Sequence, residues 1–394
     1  MYQLSIIQKT LANKMHQARL SVLKQMVQAC FLAQSLTVTH LGRALDSSKT
    51  ERAGIKKADR FLSNDKMYEE YPMICNMLIS HLISEKSCPW ILVDWSKMPH
   101  KKFQVLRAAL VANGRSITIY EEVHGEKKLG NAKVHKIFLA KLKELLPMDC
   151  CPIIITDAGF GVPWFKAVLN LGWDYVGRVR GNKYYSLYED KWLKIQGFKT
   201  KYTHSPKYIG TVLLTKQSKF NTDLYVTKEK SKGRHAFNKS GNIKKDSCSK
   251  SKSKAANEPL CLVTSLQHKH NMADKVVKIY KTRMQVEEGF RDLKSTKFGF
   301  GFEHMMSYKP RRILILLLIS MLASFIAYIT GRCAEQRNLH LQFQANSIKH
   351  IRVLSFFYLG RRIIKKYLQG NSVFHTKMLE SDLMQTQLML ENMR

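Results

Sequence analysis

Acidic residues are scarce in this chain of 394 residues. Thirty aspartates and glutamates stand against 65 lysines and arginines, and the formal net charge is +35. Like charges at this density repel one another in a folded protein, and a polyanion that neutralises them is the simplest reason to keep them. Nucleic acid is the first candidate for that polyanion, and an anionic membrane surface is the second.

Paired cysteine motifs and histidine metal motifs are absent as well. None of the eight cysteines forms a CxxC pair, and the adjacent Cys150 and Cys151 are poorly placed to bond each other or to share a zinc ion. This pattern indicates unpaired thiols in a reducing compartment. The fourteen histidines show neither HExxH nor Cys/His ligand spacing, which argues against a zinc site. The first residues, MYQLSIIQKTLANKMHQ, lack the apolar core and the cleavage site of a signal peptide.

One long apolar run challenges the expectation of a soluble protein. Residues 313–330, ILILLLISMLASFIAYIT, carry no charge and have about the 18-residue length that marks a membrane span. Three cations precede the run in the manner of a cytoplasmic anchor: Lys309, Arg311 and Arg312. The run stands alone, however, and contains two serines. A helix buried on all sides inside a large protein has the same composition, and we predict such a helix here.

Residues 1–85 are predicted to form a helical DNA-binding domain. Apolar residues recur there at helical spacing, and SLTVTHLGRALD and TERAGIKKADRFLSN are typical of two short helices in series. The second helix bears four cations: Arg52, Lys56, Lys57 and Arg60. This arrangement indicates a helix-turn-helix-like unit that contacts DNA, whereas a helical hairpin with a solvated basic face is the alternative.

From about residue 86 the pattern changes to short apolar strands. Through residue 181 the predicted order is strand, strand, strand, helix, strand, helix, strand, which is typical of a mixed α/β sheet. Asn113-Gly114 marks a hairpin between the second and third strands. The segment 86–181 is therefore predicted to be the first part of an α/β core, and 259–335 is predicted to be its second part.

Residues 182–258 are predicted to be a β-rich insertion between the two parts of the core. Within it, residues 228–257 hold ten lysines and arginines against two acids, with six serines. That composition predicts a mobile basic loop, which serves either as a solvated tether or as an arm that touches DNA. The tail, residues 336–394, is predicted to be helical and basic.

Two acids follow buried strands. Asp94 ends the strand ILVD, and Asp157 ends the strand IIITD. Ligands bind α/β sheets at the carboxyl ends of strands, and two acids in such positions predict a site more strongly than one does. Carboxylate oxygens are the hard ligands that Mg²⁺ and Mn²⁺ prefer.

A third acid comes from a predicted helix that runs from about residue 273 to residue 294. Four polar residues fall on one stripe of that helix, roughly 60° wide at about 100° per residue: Tyr280, Arg283, Glu287 and Lys294. Glu288 points about 100° away by the same geometry, and Glu287 is therefore preferred. This set of groups is suited to reactions at a phosphate: the carboxylate can bind a metal, the guanidinium and the ammonium can bind phosphate oxygens, and the phenol can donate a hydrogen bond. The alternative is an ordinary helix face with salt bridges.

Several long segments together resemble the bacterial cut-and-paste insertion-sequence transposases. These are the DDE enzymes with the Y-R-E-K signature, and within them the chain most resembles the Tn-ten-like group of the IS-four family. The segments are ILVDWS, LRAALVANGRSITIYEE, TDAGFGVPWFKAVLNLGWDYVGRVRG, the Y-x2-R-x3-E-x6-K stripe, and FQANSIKH with VLSFFYLG. The resemblance covers about residues 10–370. It implies an α/β fold, with an RNase H-like catalytic core interrupted by the β-rich insertion and with helical N- and C-terminal regions.

The resemblance also implies roles for single residues. Three match the catalytic triad that binds metal: Asp94, Asp157 and Glu287. Three match residues that grip DNA phosphates beside the cut: Tyr280, Arg283 and Lys294. Met284 matches an apolar side chain that probes the distorted terminal base pairs. The implied cofactor is Mg²⁺, for which Mn²⁺ can substitute.

The chain departs from the family pattern at one position. Where relatives carry a tryptophan that stacks a flipped base, this chain has Leu260, which offers no π-face. The absence of this tryptophan is therefore expected to affect the formation and opening of a DNA hairpin but not metal-dependent cleavage. Arg178 and Arg180 alternate on the strand VGRVRG and either face DNA together or form a solvated strand face.

These observations lead to one functional expectation and three alternatives. We expect a transposase that cleaves the ends of its element by metal-dependent hydrolysis and transesterification, through a hairpin, and joins them to target DNA. Its partners would be double-stranded DNA and a second copy of the chain in the synaptic complex, without a membrane, in the bacterial cytoplasm at the nucleoid. The alternatives are an RNase H-like nuclease without strand transfer, an inactive DNA-binding regulator, and a membrane-anchored protein.

Overall fold

The computed structural model describes residues 11–370 apart from 34, 46–49, 100–101, 189–190, 201–203, 229–241, 244–245, 248–257, 346 and 349. The chain forms two compact units. The first unit comprises Met1–Cys151 and Met284–Arg394, and the second comprises Pro152–Arg283.

Five helices open the first unit: α1 (Gln17–Leu32), α2 (Val38–Arg43), α3 (Glu51–Leu62), α4 (Asp65–Glu69) and α5 (Tyr71–Leu82). Thr37 and Thr50 cap α2 and α3, because each hydroxyl accepts the backbone N–H of the residue three positions on. The two helices approach so closely that a Cβ on Gly54 would lie 2.3 Å from the carbonyl oxygen of Gly42. The predicted pair of short helices in series is confirmed.

Three antiparallel strands follow in the spatial order β3-β2-β1: β1 (Trp90–Lys97), β2 (Phe103–Val111) and β3 (Ser116–Gly125). The β2–β3 hairpin turns at the predicted Asn113-Gly114, where Gly114 adopts a φ of 72° that favours glycine. Helix α6 (Ala132–Leu145) packs against α5, which also contacts β3.

The apolar run is the centre of a long helix. After α9 (Met284–Lys294), helix α10 spans Pro310–Gln336 and packs against β3, α1 and α11 (Phe356–Leu368). Every residue from 313 to 330 except Ser324 is buried. Within the described part of the chain, α10 is the helix long and apolar enough to cross a membrane, and 94% of its apolar window is buried inside the protein. The predicted buried helix is therefore confirmed.

The second unit is built on a mixed sheet. Its described strands lie in the order β4-β5-β10-β9-β8-β6-β7. They are β4 (Ile153–Thr156), β5 (Asp174–Val179), β6 (Tyr184–Ser186), β7 (Leu193–Lys194), β8 (Lys207–Leu214), β9 (Phe220–Thr227) and β10 (Leu260–Thr264). β4 and β5 run parallel, and the remaining neighbours run antiparallel.

Two helices pack on this sheet. Helix α7 (Val162–Leu169) connects β4 to β5, and its Phe165 stacks on Tyr175 with ring centroids 4.5 Å apart. Helix α8 (Met272–Lys281) contacts β4, β5, β9 and β10. The chain order from β1 to β5, with α6 and α7 in their places, is the predicted order. The mixed α/β class with helical ends is confirmed.

The predicted single helix from 273 to 294 is wrong. The structure has two helices there, α8 and α9, separated by a turn at Thr282 and Arg283. The hydroxyl of Thr282 donates to the carbonyl oxygen of Ile279 at 2.6 Å, and the Arg283 N–H bonds to Tyr280 instead of continuing the helical ladder. A threonine side chain that bonds nearby backbone competes with the helix in this way. The break falls at the boundary between the units.

The proposed division into five segments remains a prediction. The β-hairpins expected in 182–258 are present as β6 to β9. Most of the basic loop at 228–257, and the tail from 371 to 394, lie outside the described residues.

Candidate active site

Asp94 lies in the middle of β1, half-buried, directly across from Arg107 on β2. Its Oδ1 accepts the backbone N–H of Trp95 at 2.8 Å. Arg107 is itself buried, and it pairs with Glu121 of β3 at 2.7 Å. Burial raises the pKa of Glu121, and the guanidinium of Arg107 opposes that rise. Asp94 therefore lies opposite Arg107, whose guanidinium forms an ion pair with Glu121.

Trp95, the next residue, ties β1 to α6. Its indole N–H donates to Nε2 of His135 at 3.0 Å, and its ring also packs against His124. Burial lowers the pKa of His135 to about 4, with a smaller contribution from His124. The imidazole therefore stays neutral near pH 7, and its unprotonated Nε2 can accept the hydrogen bond from the indole N–H. Sequence reasoning did not find this link, because the two residues are forty positions apart.

Glu287 and Glu288 have different surroundings on α9. Glu287 is exposed in the first turn, whereas Glu288 is half-buried and forms ion pairs with Arg115 and Arg291. The start of α9 is fixed to the β2–β3 hairpin, since Gln285 Nε2 donates to the carbonyl oxygen of Ala112 at 2.9 Å. Helix α9 packs against β1, the strand that carries Asp94. The choice of Glu287 over Glu288 remains a prediction.

Lys294, at the end of α9, reaches the end of β1. Its Nζ donates to Ser96 Oγ and to the carbonyl oxygen of Lys97, both at 2.7 Å. Burial lowers the pKa of Lys294 to about 8; Arg107 lowers it further, and the carboxylate of Asp94 opposes the shift. The first unit therefore brings Asp94, Arg107 and Lys294 together electrostatically, with Glu287 on the same helix as Lys294.

In the second unit, Asp157 follows β4 directly. It is half-buried, and its Oδ1 accepts the N–H of Gly159 at 2.8 Å, which shapes the turn into α7. Lys183 lies close to it: burial lowers the pKa of this lysine, and Asp157 opposes the shift. Lys183 was not predicted, because a lysine in the short loop after β5 carries no signal in the sequence.

Tyr280 is buried on α8, and Arg283 stands beside it with its guanidinium 5.9 Å from the ring centroid. Burial raises the pKa of Tyr280, whereas Arg283 and Arg178 oppose the rise and Asp157 adds to it. The second unit therefore brings Asp157, Arg178 and Arg283 close enough to Tyr280 to affect its pKa. Arg180 instead pairs with Glu258 at 3.1 Å.

Residues 89–326 match the family model described as a transposase DDE domain, which is more than half of the chain. The chain belongs to the DDE-domain transposases. No curated protein matches it. A cryo-EM structure of the piggyBac transposase synaptic complex with hairpin DNA is similar at 10% identity and a TM-score of 0.43, over 98% of this chain and 83% of that one.

The donors that this transposase offers a metal are carboxylates. Among the described residues, no three histidine, cysteine, aspartate or glutamate side chains lie close enough together to hold a metal ion. Asp94 and Glu287 lie on packed elements of the first unit, and Asp157 lies in the second. Oxygen donors of this kind fit Mg²⁺ or Mn²⁺ and do not fit a softer metal. The chemistry of these donors therefore suits a hard divalent metal, although the described residues do not form a group that holds one.

The other predicted DNA contacts of the transposase differ in exposure. Arg52, Lys56 and Arg60 are exposed along α3, at a spacing of four residues that places them on one face. Lys57 is half-buried and donates to Gln25 of α1, so it is tied to the helical domain. Met284 is exposed, with 52% of its surface accessible.

The lowered pKa of Lys294 predicts a pH dependence of end binding by the transposase. Below pH 8 the Lys294 ammonium is charged and can pair with a DNA phosphate. Above pH 8 the side chain is mostly neutral and must gain a proton before it can form that pair. The affinity for DNA should therefore fall by about tenfold for each further pH unit. We expect binding of end DNA to weaken by up to about tenfold from pH 8 to pH 9. Lys294→Arg should remove this dependence, because arginine stays charged. Anisotropy titrations across this range check it, and an equal pH dependence in Lys294→Arg would contradict the assignment.

Proposed function

We propose that this transposase is a cut-and-paste enzyme of the IS-four family, Tn-ten-like group. It would bind the ends of its element, cleave phosphodiesters by hydrolysis and transesterification through a hairpin, and join the ends to target DNA. The observation that carries the proposal is the family match over 89–326, which includes acids on β1, after β4 and on α9.

In this proposal Asp94, Asp157 and Glu287 hold Mg²⁺, for which Mn²⁺ can substitute. The bound metal would supply a Lewis acid that activates water, and then a 3′ hydroxyl, for in-line attack. Arg283 and Lys294 neutralise phosphate oxygens, and Tyr280 donates a hydrogen bond to them. The burial of Tyr280 keeps its hydroxyl protonated and able to donate.

The proposed partners are double-stranded DNA and a second copy of the chain, since two element ends must be held together. The net charge of +35 supports DNA, and the burial of α10 within the protein supports a chain without a membrane partner. The proposed location is the bacterial cytoplasm, in association with the nucleoid.

The test is incubation of the full chain with magnesium and DNA that carries the element's own ends, read on a denaturing gel. The proposal expects nicked, hairpin and joined products in turn. Nicked DNA without joined products would indicate a nuclease without strand transfer. Binding without any cleavage would indicate a DNA-binding regulator. Either result contradicts the proposal.

Leu260 yields a prediction about the hairpin steps. It opens β10, half-buried and opposite Thr227, and it has no aromatic face for a flipped base. Because base–aromatic stacking contributes about 1–3 kcal/mol, Leu260→Trp should speed hairpin formation or opening by roughly 5- to 150-fold. First-strand nicking needs no flipped base and should keep its rate. Time courses on the same gel separate the steps, and unchanged hairpin kinetics would show that position 260 has no stacking role.

A further inference from the structure

Three aromatic rings form a cluster on β8, β9 and the loop that follows β10. The imidazole of His268 lies parallel to the ring of Tyr208, with centroids 3.8 Å apart and an interplanar angle of 8°. Tyr208 and Tyr225 are direct partners across β8 and β9, with ring centroids 5.0 Å apart. Nδ1 of His268 lies 2.9 Å from the hydroxyl of Tyr225. One stacking contact and one hydrogen bond therefore fix the imidazole.

The rings beneath the imidazole are fixed as well. The hydroxyl of Tyr208 donates to Oδ1 of Asp223 at 3.0 Å, and the same oxygen accepts a bond from Thr211 at 2.7 Å. Tyr225 is fully buried. A surface whose side chains are already ordered loses little conformational entropy when a ligand binds. The cluster is therefore organised before any ligand arrives.

The outer ring of the cluster is exposed and has a lysine next to it in the chain. His268 is exposed, and Tyr208 is half-buried beneath it. Lys269, the sequence neighbour of His268, is exposed as well. An accessible ring beside lysines is the combination that binds single-stranded nucleic acid, because a base stacks on the ring while ammonium groups meet the phosphates. A fully paired duplex keeps its base faces inside the stack and cannot use such a ring.

We propose that Tyr208, Tyr225 and His268 form a stacking site for an unpaired DNA base, with Lys269 on an adjacent phosphate. The inference rests on the DNA substrate proposed above. The site differs from position 260, since Leu260 opens β10 whereas His268 follows the end of that strand. His268 supplies the contacting face, and the two tyrosines position it.

The test measures binding of a fluorescein-labelled oligothymidylate and of a labelled duplex to the full chain by anisotropy, in EDTA. His268→Ala should raise the Kd for the oligothymidylate by roughly 5- to 150-fold and leave the duplex Kd unchanged. His268→Phe keeps an aromatic face and should bind nearly as the parent does. His270→Ala is the matched control, because it removes another exposed histidine of the same loop.

Two results would overturn the site. One is equal weakening of oligothymidylate and duplex by His268→Ala, which would show a loss of charge or of fold. The other is oligothymidylate binding that His268→Ala leaves unchanged. Because EDTA prevents metal-dependent cleavage, neither result depends on whether the chain cuts element ends. Failure to cut with magnesium would overturn the proposed function alone.

Discussion

Alanine in place of Asp94, Asp157 or Glu287 should reduce cleavage of element ends by at least about 10³-fold while the affinity for those ends stays within a few-fold of the parent. A metal held by carboxylates stabilises the charge that develops in phosphoryl transfer by several kcal/mol. Losing about 4 kcal/mol of that stabilisation slows the reaction by about 10³-fold. In the proposed function, cations elsewhere on the protein bind the DNA, so the affinity for DNA should be retained. Cleavage is read on denaturing gels and affinity by anisotropy with the same DNA.

Glu288→Ala is the matched control for Glu287→Ala. Glu288 pairs with Arg115 and Arg291 while partly exposed, and pairs of this kind contribute up to about 1 kcal/mol each to stability. We expect near-parental cleavage from this variant. Full cleavage by any variant of the three acids would refute the triad, and loss of cleavage in Glu288→Ala alone would move the catalytic role to the neighbouring glutamate.

The parts of the fold that could be predicted depend on local pattern. Asp157 was placed correctly at a strand end because it follows three apolar β-formers, a signal contained in a few residues. Asp94 was predicted to end its strand, but β1 continues to Lys97, so Asp94 lies in the middle of it. The burial of residues 313–330 was predicted from composition. The elements that pack against this helix, β3, α1 and α11, were not predicted. The sequence contains the tendency to bury this helix, and only the tertiary structure selects what covers it.

The failures have a shared physical cause in side-chain contacts. At the helix break, the hydroxyl of Thr282 donates a hydrogen bond to the carbonyl oxygen of Ile279 and so competes with the backbone hydrogen bonds of a continuous helix. The periodicity of apolar residues contains no information about this side-chain hydrogen bond. Lys183 approaches Asp157 only through the loop after β5, and Trp95 meets His135 only because α6 packs near β1. Such pairs are distant in sequence, and a single chain offers no rule that joins them.

The net charge of +35 predicts a steep dependence of DNA binding on salt. If six or more phosphates are contacted, counterion release should weaken binding by roughly 10³-fold or more between about 50 and 200 mM salt. The exposed face of α3 supplies three of the expected contacts: Arg52, Lys56 and Arg60. Replacing all three with alanine should lower the slope of log Kd against log salt by about 2.7, since each contact contributes about 0.9.

A second triple variant separates local contact from total charge. Lys133, Lys136 and Lys143 are exposed on α6, and their replacement with alanine removes the same three charges from another surface. If α3 lies on DNA, the α6 variant should keep nearly the parental slope, whereas the α3 variant should lose about three contacts. Equal slopes for the two variants would show that α3 is a solvated basic helix. A nearly flat dependence in the parent would mean that recognition does not depend on the DNA backbone.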